Sequence, residues 1–298
     1  MTSQTSQTSQ PVRALRHGFA ATALVLLVSL VVALLSWLSY SDGRALLSSL
    51  TAREVGSVVS FAGDEVEVRW PSGTARIAYE DGDRIVGKQT QVAFDPANPS
   101  RAVIPGADVL VQTDRALGGV TFAIAVVLLV LVVSAVRVLL AVRAVRAAPV
   151  TASVRRIRLQ SGLMVRSWLE IEGPTERWLP VYYDPVLVTL PSPASVELRG
   201  GRVAVVDGVT VYPSGRPVTK HPRGRRLDNP AQPDPETRAP RGLLTQLRVD
   251  AVFIVPAPFA GLFWAYVDNS GFTGWVTATV IAAALGLWWA ALRGSDPS

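Results

Sequence analysis

Four apolar runs divide this chain, and between them the pattern changes to the alternation of strands. Residues 19–40 hold 22 positions without a charge, enough to cross a hydrocarbon core of ~30 Å at ~1.5 Å per helical residue. A cleaved signal peptide would carry a shorter apolar region, of ~7–15 residues, before a small-residue cleavage site. Here the run ends in SWLSYS and reads as an uncleaved anchor. The second span is 118–142, the third 249–267 and the fourth 271–292. Pro256 and Pro258 interrupt the third and predict a kinked or tilted span, and DNSG turns it tightly into the fourth. In lipid each must be a helix, because backbone amides there find no water to bond.

Between the first two spans, residues 41–117 predict a small β-domain. EVEVRW sets Val66, Val68 and Trp70 on one face and Glu65, Glu67 and Arg69 on the other, and TARIAYE repeats the period with Ile77 and Tyr79. Turn signals at Ala62-Gly63-Asp64, PSG and YEDGDRIVG give four or five short antiparallel strands, a small barrel or curled sheet. In VAFDPANPSRAVIP, Asp95 can accept from a downstream amide and Pro96 fixes φ, and Asn98 with Pro99 repeats the device. These four residues form a candidate structural turn that ends one strand and reverses the chain.

Residues 143–216 predict a second β-rich domain. VRRIRLQ, MVRSWLEIE and RWLPVYYDP read as strands, and SVELRGGRVAVVDGVTVYP as a three-stranded meander turning at Gly200-Gly201 and Asp207-Gly208. VYYDP at 181–185 echoes VAFDP at 92–96. A duplicated β-domain and a common way of ending a strand both account for the echo.

Charge orients the spans. Residues 42–115 carry 8 basic and 11 acidic side chains, whereas 143–248 carry 17 and 9. Arg13 and Arg16 precede the first span, Arg248 the third, and Arg293 follows the fourth. The expectation is a multi-pass plasma-membrane protein with both termini cytoplasmic, the first β-domain outside and the second inside. Residues 1–18 are expected as a disordered cytoplasmic segment and 293–298 as a cytoplasmic tail. Trp37 and Trp275 fall at outer span ends, and Trp288 and Trp289 at an inner one, as interfacial anchors do. In spans three and four, Ala257, Gly261 and Ala265 recur at i+4, as do Ala278, Ala282, Gly286 and Ala290. Small residues so spaced let helices pack closely in lipid; abundant alanine produces the same spacing by chance.

Residues 217–248 hold six prolines between Pro217 and Pro240 and almost no apolar residues, and are expected as an extended or disordered linker. Their basic cluster, Lys220, Arg223, Arg225 and Arg226, either serves topology or attracts anionic lipid headgroups. No aromatic residues interleave it, which argues against nucleic acid.

Cysteine is absent, excluding disulfides, thiolate catalysis and Cys-ligated zinc, and the two histidines, His17 and His221, lie far apart in basic contexts read as flexible. There is no Walker loop, GxSxG elbow, HExxH pair, EF-hand loop or kinase signature. No catalytic, cofactor-binding or metal-binding residues are assigned. Asp250, at the inner edge of the third span, is expected to cap a helix; no other Asp or Glu lies inside the spans, which disfavours transport, although four helices could line a pathway in an oligomer. An unfamiliar enzyme site would draw on Asp64, Glu65, Asp81 or Asp83, acids at turns that are usually solvated.

The run from GSVVS through VRWPSG to VAFDPANPSRAVIPG, roughly residues 50–110, resembles an actinobacterial-type family of integral membrane proteins of unknown function. In that family an extracytoplasmic β-domain flanked by membrane helices ends in YDPxNPxxA; Phe94 stands here where Tyr is usual. The resemblance implies fold and location and brings no activity with it. The expected fold is therefore membrane α-helical, with four transmembrane helices and two small all-β domains, one on each side. The expected role is a non-enzymatic scaffold, sensor or accessory subunit, with the bilayer, anionic headgroups, and a membrane protein or second copy as partners. The alternative is an accessory of a membrane protease or envelope enzyme, since small barrels on multi-span anchors resemble those that accompany stomatin-like proteins.

Overall fold

Long helices alternate with curled sheets in the computed structural model, which describes residues 13–80, 82–227 and 243–298. Residues 1–12 and 228–242 lie outside the described residues, so the expectations for most of the N-terminal segment and for the middle of the linker fall there. Four helical stretches are long and apolar enough to cross a membrane. The chain divides into two compact units, one of Ser29–Val127 and one of Met1–Val28 with Leu128–Ser298.

In the first unit the helices outrun the expected spans. Helix α1 (Arg13–Ser49) continues past Tyr40 through Asp42 and Arg44, and α2 (Asp108–Val145) starts ten residues before Gly118. At 37 and 38 residues both exceed what lipid requires. The extra turns have a packing reason. Leu47 of α1 and Val109 and Leu110 of α2 join the β-core. Gly43 and Gly119 give the two helices room, because a Cβ there would strike Thr113 and Ser36 respectively.

Strands β1 (Ala52–Ala62), β2 (Glu65–Trp70), β3 (Gly73–Ala78), β4 (Gln89–Asp95) and β5 (Asn98–Val103) form an antiparallel sheet in the order β3-β2-β1-β4-β5. The end strands β3 and β5 lie against each other, so the sheet curls toward closure. A long first strand paired on both sides, with a 3-10 turn (Gly82–Ile85) before the fourth, is the strand order of a five-stranded Greek-key barrel of the OB type. Val66, Val68, Trp70, Ile77, Val92 and Phe94 fill it, with Trp70 and Phe94 ring centroids 5.5 Å apart. The proline-rich turn closes β4 onto β5. Ala97 N donates to Asp95 Oδ1 at 2.8 Å, Asp95 pairs with Asn98, and Ser100 Oγ donates to Asn98 Oδ1 at 2.6 Å. Pro96 and Pro99 flank that pairing.

In the second unit, β6 (Pro149–Ser161), β7 (Met164–Ile171), β8 (Arg177–Val181), β9 (Ala194–Arg199), β10 (Val203–Val206) and β11 (Val209–Val211) take the order β11-β10-β9-β6-β7-β8. The chain after β11 then pairs back on β8. Val181 bridges Pro213, and Trp178 and Val218 exchange backbone bonds of 2.8 and 2.9 Å. Its first five strands repeat the order of the other sheet, again with a 3-10 turn (Pro185–Leu187) before the fourth. The VYYDP echo is local geometry too: Asp184 Oδ1 accepts from Val186 N at 3.0 Å, as Asp95 accepts from Ala97 N. Left-handed Asp207 and Gly208 make the β10–β11 turn.

Three expectations are corrected in this unit. The basic segment read as linker is in part sheet, because Arg225–Leu227 forms β12 on β6 and Val218 sits on Trp178. β6 is long enough to offer an unpaired stretch beyond β9, and β12 occupies it. Residues 294–298 do not hang free as a tail. Ser295 bridges Arg166, and Asp296 N donates to Val165 O at 2.8 Å. Asp250 caps no helix: it ends α3 (Leu243–Asp250), and its side chain meets His17.

The third span accordingly begins earlier than 249. After α3 a 3-10 turn (Ala251–Ile254) leads through Pro256 into α4 (Ala257–Asp268), where Pro258 sits in the first turn, whose amides need no intrahelical partner. Left-handed Asn269 caps α4 and α5 (Gly271–Arg293) follows. Ala257, Gly261 and Ala265 are buried on one face of α4, while Phe259, Leu262, Phe263 and Tyr266 are exposed. A Cβ on Gly261 would lie 2.8 Å from Trp275 O, so the α4 backbone rests directly on α5. On α5, Gly286 abuts the Phe253 carbonyl, Ala290 is buried, and Ala278 and Ala282 are half-buried.

Candidate anion-binding site

Strand alternation and helix periodicity bring one set of cations together in the second unit. On β7, Met164, Arg166 and Trp168 are two residues apart and share a face; on α5, Trp289 and Arg293 are four apart and share another. Both faces line a cavity of about 550 Å³, to which the segment after β11 contributes Lys220 and Arg223. Its lining holds four cations and no carboxylate. Among the described residues, none of the four forms an ion pair.

Arg166 is the inner cation. Its guanidinium stacks 5.1 Å from the Trp168 ring centre, Nε donates to Arg293 O at 2.8 Å, and Nη2 donates to Ser214 Oγ at 3.3 Å. Burial, then the charges of Arg293 and Arg137, push its pKa down from the ordinary arginine value to about 10, against a smaller opposing effect of Tyr182. It stays charged at neutral pH, and the cavity lining around it holds no carboxylate. Arg293 is exposed and lies 4.6 Å over the Trp289 ring. Indole faces hold both guanidinium planes by cation–π attraction and leave edge N–H groups directed elsewhere. Lys220 and Arg223 are exposed, as are Leu163 and Trp289, the latter two at 69% and 49%.

The chain matches no family model, no curated protein and no solved structure.

The sequence-derived candidates divide between places. Lys220 and Arg223 enter the cavity lining, whereas Arg225 and Arg226 lie on β12, exposed and paired to β6. Asp95, Pro96, Asn98 and Pro99 form the β4–β5 turn of the other unit. Asp64, Glu65 and Asp83 are exposed there, and Asp81 lies outside the described residues. No group of three or more metal-ligating side chains occurs among the described residues.

Sequence reasoning missed Arg166 and Arg293 as site residues because each reads as one more topogenic charge. The available signal was an arginine in phase with Met164 and Trp168 on a strand, and another four residues after a tryptophan. It also missed two buried polar contacts. Arg156 is 2% exposed and Nη2 donates to Asp296 Oδ2 at 2.8 Å; Nη1 donates to Leu187 O at 3.0 Å and Nε to Ser167 Oγ at 3.2 Å. His17 Nε2 meets Asp250 Oδ2, both side chains being buried. A second, mainly apolar cavity of about 360 Å³ lies between Phe19, Val138 and Tyr212. Of its two lining arginines, Arg146 is exposed and Arg137 already donates to Tyr182 Oη, Ser214 O and Leu292 O.

Proposed function

We propose that this chain is an integral plasma-membrane protein that presents a small β-barrel on each face and acts as a non-enzymatic scaffold, sensor or accessory subunit. The observation that carries this reading is the outward apolar face of the four long helices, where Leu27, Leu34, Leu128, Leu139, Phe259 and Phe263 stand exposed. Side chains of that kind have no favourable place in water, and together they make a surface suited to lipid. The charge contrast between 42–115 and 143–248 supports the first barrel outside and the second inside, with cytoplasmic termini. The DPxNP ending of the first barrel supports kinship with the actinobacterial-type family.

Because the chain has no cysteine, single cysteines report topology without background. Ala97→Cys in the first barrel and Gly162→Cys in the second are to be labelled with an impermeant maleimide in intact cells. Labelling of the first only, with the second gained on permeabilisation, supports the reading; equal labelling of both in intact cells would sink it. Affinity purification after crosslinking in native membranes then separates an accessory subunit, which brings one stoichiometric partner, from a self-associating scaffold.

A further inference from the structure

We propose that the cavity between β7, α5 and the segment around Lys220 binds the phosphate of an anionic phospholipid, with Arg166 as the inner cation and Arg293, Lys220 and Arg223 around it. This rests on the reading above that α5 and the third span lie in a membrane.

Three observations favour an anion. The lining places four cations together with no carboxylate among them, an arrangement that costs free energy until a counter-charge arrives. Arg166 is desolvated and its pKa is driven down by burial and by its cationic neighbours, so it is the group that an anion relieves most. Its Nε and Nη2 are committed to Arg293 O and Ser214 Oγ, and Nη1 has no protein acceptor among the described residues. A free N–H pair beside a second arginine suits the paired oxygens of a phosphate.

Two further observations favour a lipid over a free phosphate. The lining joins its cations to apolar groups, Leu163 at the β6–β7 turn, Phe253 from the third span and Trp289 from the fourth. A free phosphate has no use for these, whereas the glycerol and upper acyl carbons of a phospholipid do. The volume, about 550 Å³, also exceeds what one phosphate fills and lies within the usual range of small-molecule sites.

The test uses the full chain in nanodiscs of phosphatidylcholine, with or without phosphatidylglycerol, and reads thermal stability together with the lipid retained in native mass spectra. Wild type is expected to retain phosphatidylglycerol selectively and to melt at a higher temperature when it is present. Lys220→Ala and Arg223→Ala, both at exposed positions, are each expected to weaken retention about fivefold. Arg202→Ala, outside the cavity lining, is expected to leave it unchanged.

Equal retention of both lipids overturns the proposal, and so does an equal loss in all three variants, which would mean diffuse surface charge. A shift of the same size from soluble glycerol phosphate overturns the lipid assignment and leaves a soluble phosphate ester as occupant. Extraction of the protein from membranes by alkaline carbonate would instead refute the membrane reading, while the glycerol phosphate arm still reports on the anion site.

Discussion

His17 and Asp250 meet side chain to side chain, 233 residues apart in sequence, with Nε2 against Oδ2 and neither group open to solvent. His17 Nδ1 and Asp250 Oδ1 are buried without a hydrogen-bond partner among the described residues. The contact joins the start of α1 to the end of α3. A buried polar pair of this kind stabilises only while both partners are present, because loss of one strands the other.

Asp250→Ala is therefore expected to cost about 3 kcal/mol, and His17→Leu with Asp250→Leu to recover most of it. Thermal unfolding in a mild detergent measures both. If the double variant is no more stable than the single one, the pair is not what holds these helices.

Arg156 and Asp296 form the equivalent contact in the second barrel, supported by Ser167. Asp296→Ala leaves a buried guanidinium with the neutral acceptors Leu187 O and Ser167 Oγ but without its carboxylate, and is expected to destabilise by about 3–5 kcal/mol. Arg155→Ala serves as the comparison, because Arg155 pairs with Glu172 at the surface at 2.8 Å, half exposed. There the cost should stay under about 1 kcal/mol. Similar losses from the two substitutions would contradict the assignment.

Gly261→Ala and Gly286→Ala should each destabilise by about 1–3 kcal/mol, since the new methyl meets backbone that cannot move aside, the Phe253 carbonyl at Gly286 and, besides Thr279 Oγ1, the Trp275 carbonyl and Thr279 amide at Gly261. Gly118→Ala, with nothing within 4 Å of the place its methyl would take, should be neutral or slightly stabilising. Denaturation by a graded detergent series reads all three, and a cost at Gly118 equal to that at Gly261 would refute close packing as the cause.

The β4–β5 turn predicts a graded pair. Asp95→Ala removes the acceptor for Ala97 N and should cost about 1 kcal/mol, whereas Asp95→Asn keeps an oxygen there and should cost less. Hydrogen exchange at the Ala97 amide in the full chain distinguishes them: faster exchange in the alanine variant is expected, and unchanged exchange would count against the bond.

The long apolar helices and the strands were legible because each shows in one dimension, as an uncharged run or as a period of two. EVEVRW alternates, and the structure buries Val66, Val68 and Trp70 as that alternation requires. The Asn98 turn and the Gly200-Gly201 reversal were legible for the same reason, since turn chemistry is local. What escaped depends on distance along the chain. Nothing near Arg156 announces that it is neutralised by Asp296, and nothing near Lys220 announces Arg166. The proline-rich composition around 217–227 suggested a linker, but backbone pairing asks only for free amides and carbonyls on a neighbouring strand, and β6 and β8 supplied them.

The Arg156–Asp296 contact also sets an order of assembly. The first barrel is complete once the first turn of α2 has been made, for its strands and the core residues through Leu110 lie within one continuous stretch. The second cannot finish with its own strands: its buried arginine waits for a partner 140 residues later, beyond the last helix. Contacts of such separation form late in folding and leave their unsatisfied groups open in the meantime. The second barrel therefore locks only after the fourth apolar helix is in position, and a chain whose final helix fails to pack leaves Arg156 without its carboxylate in a half-built core.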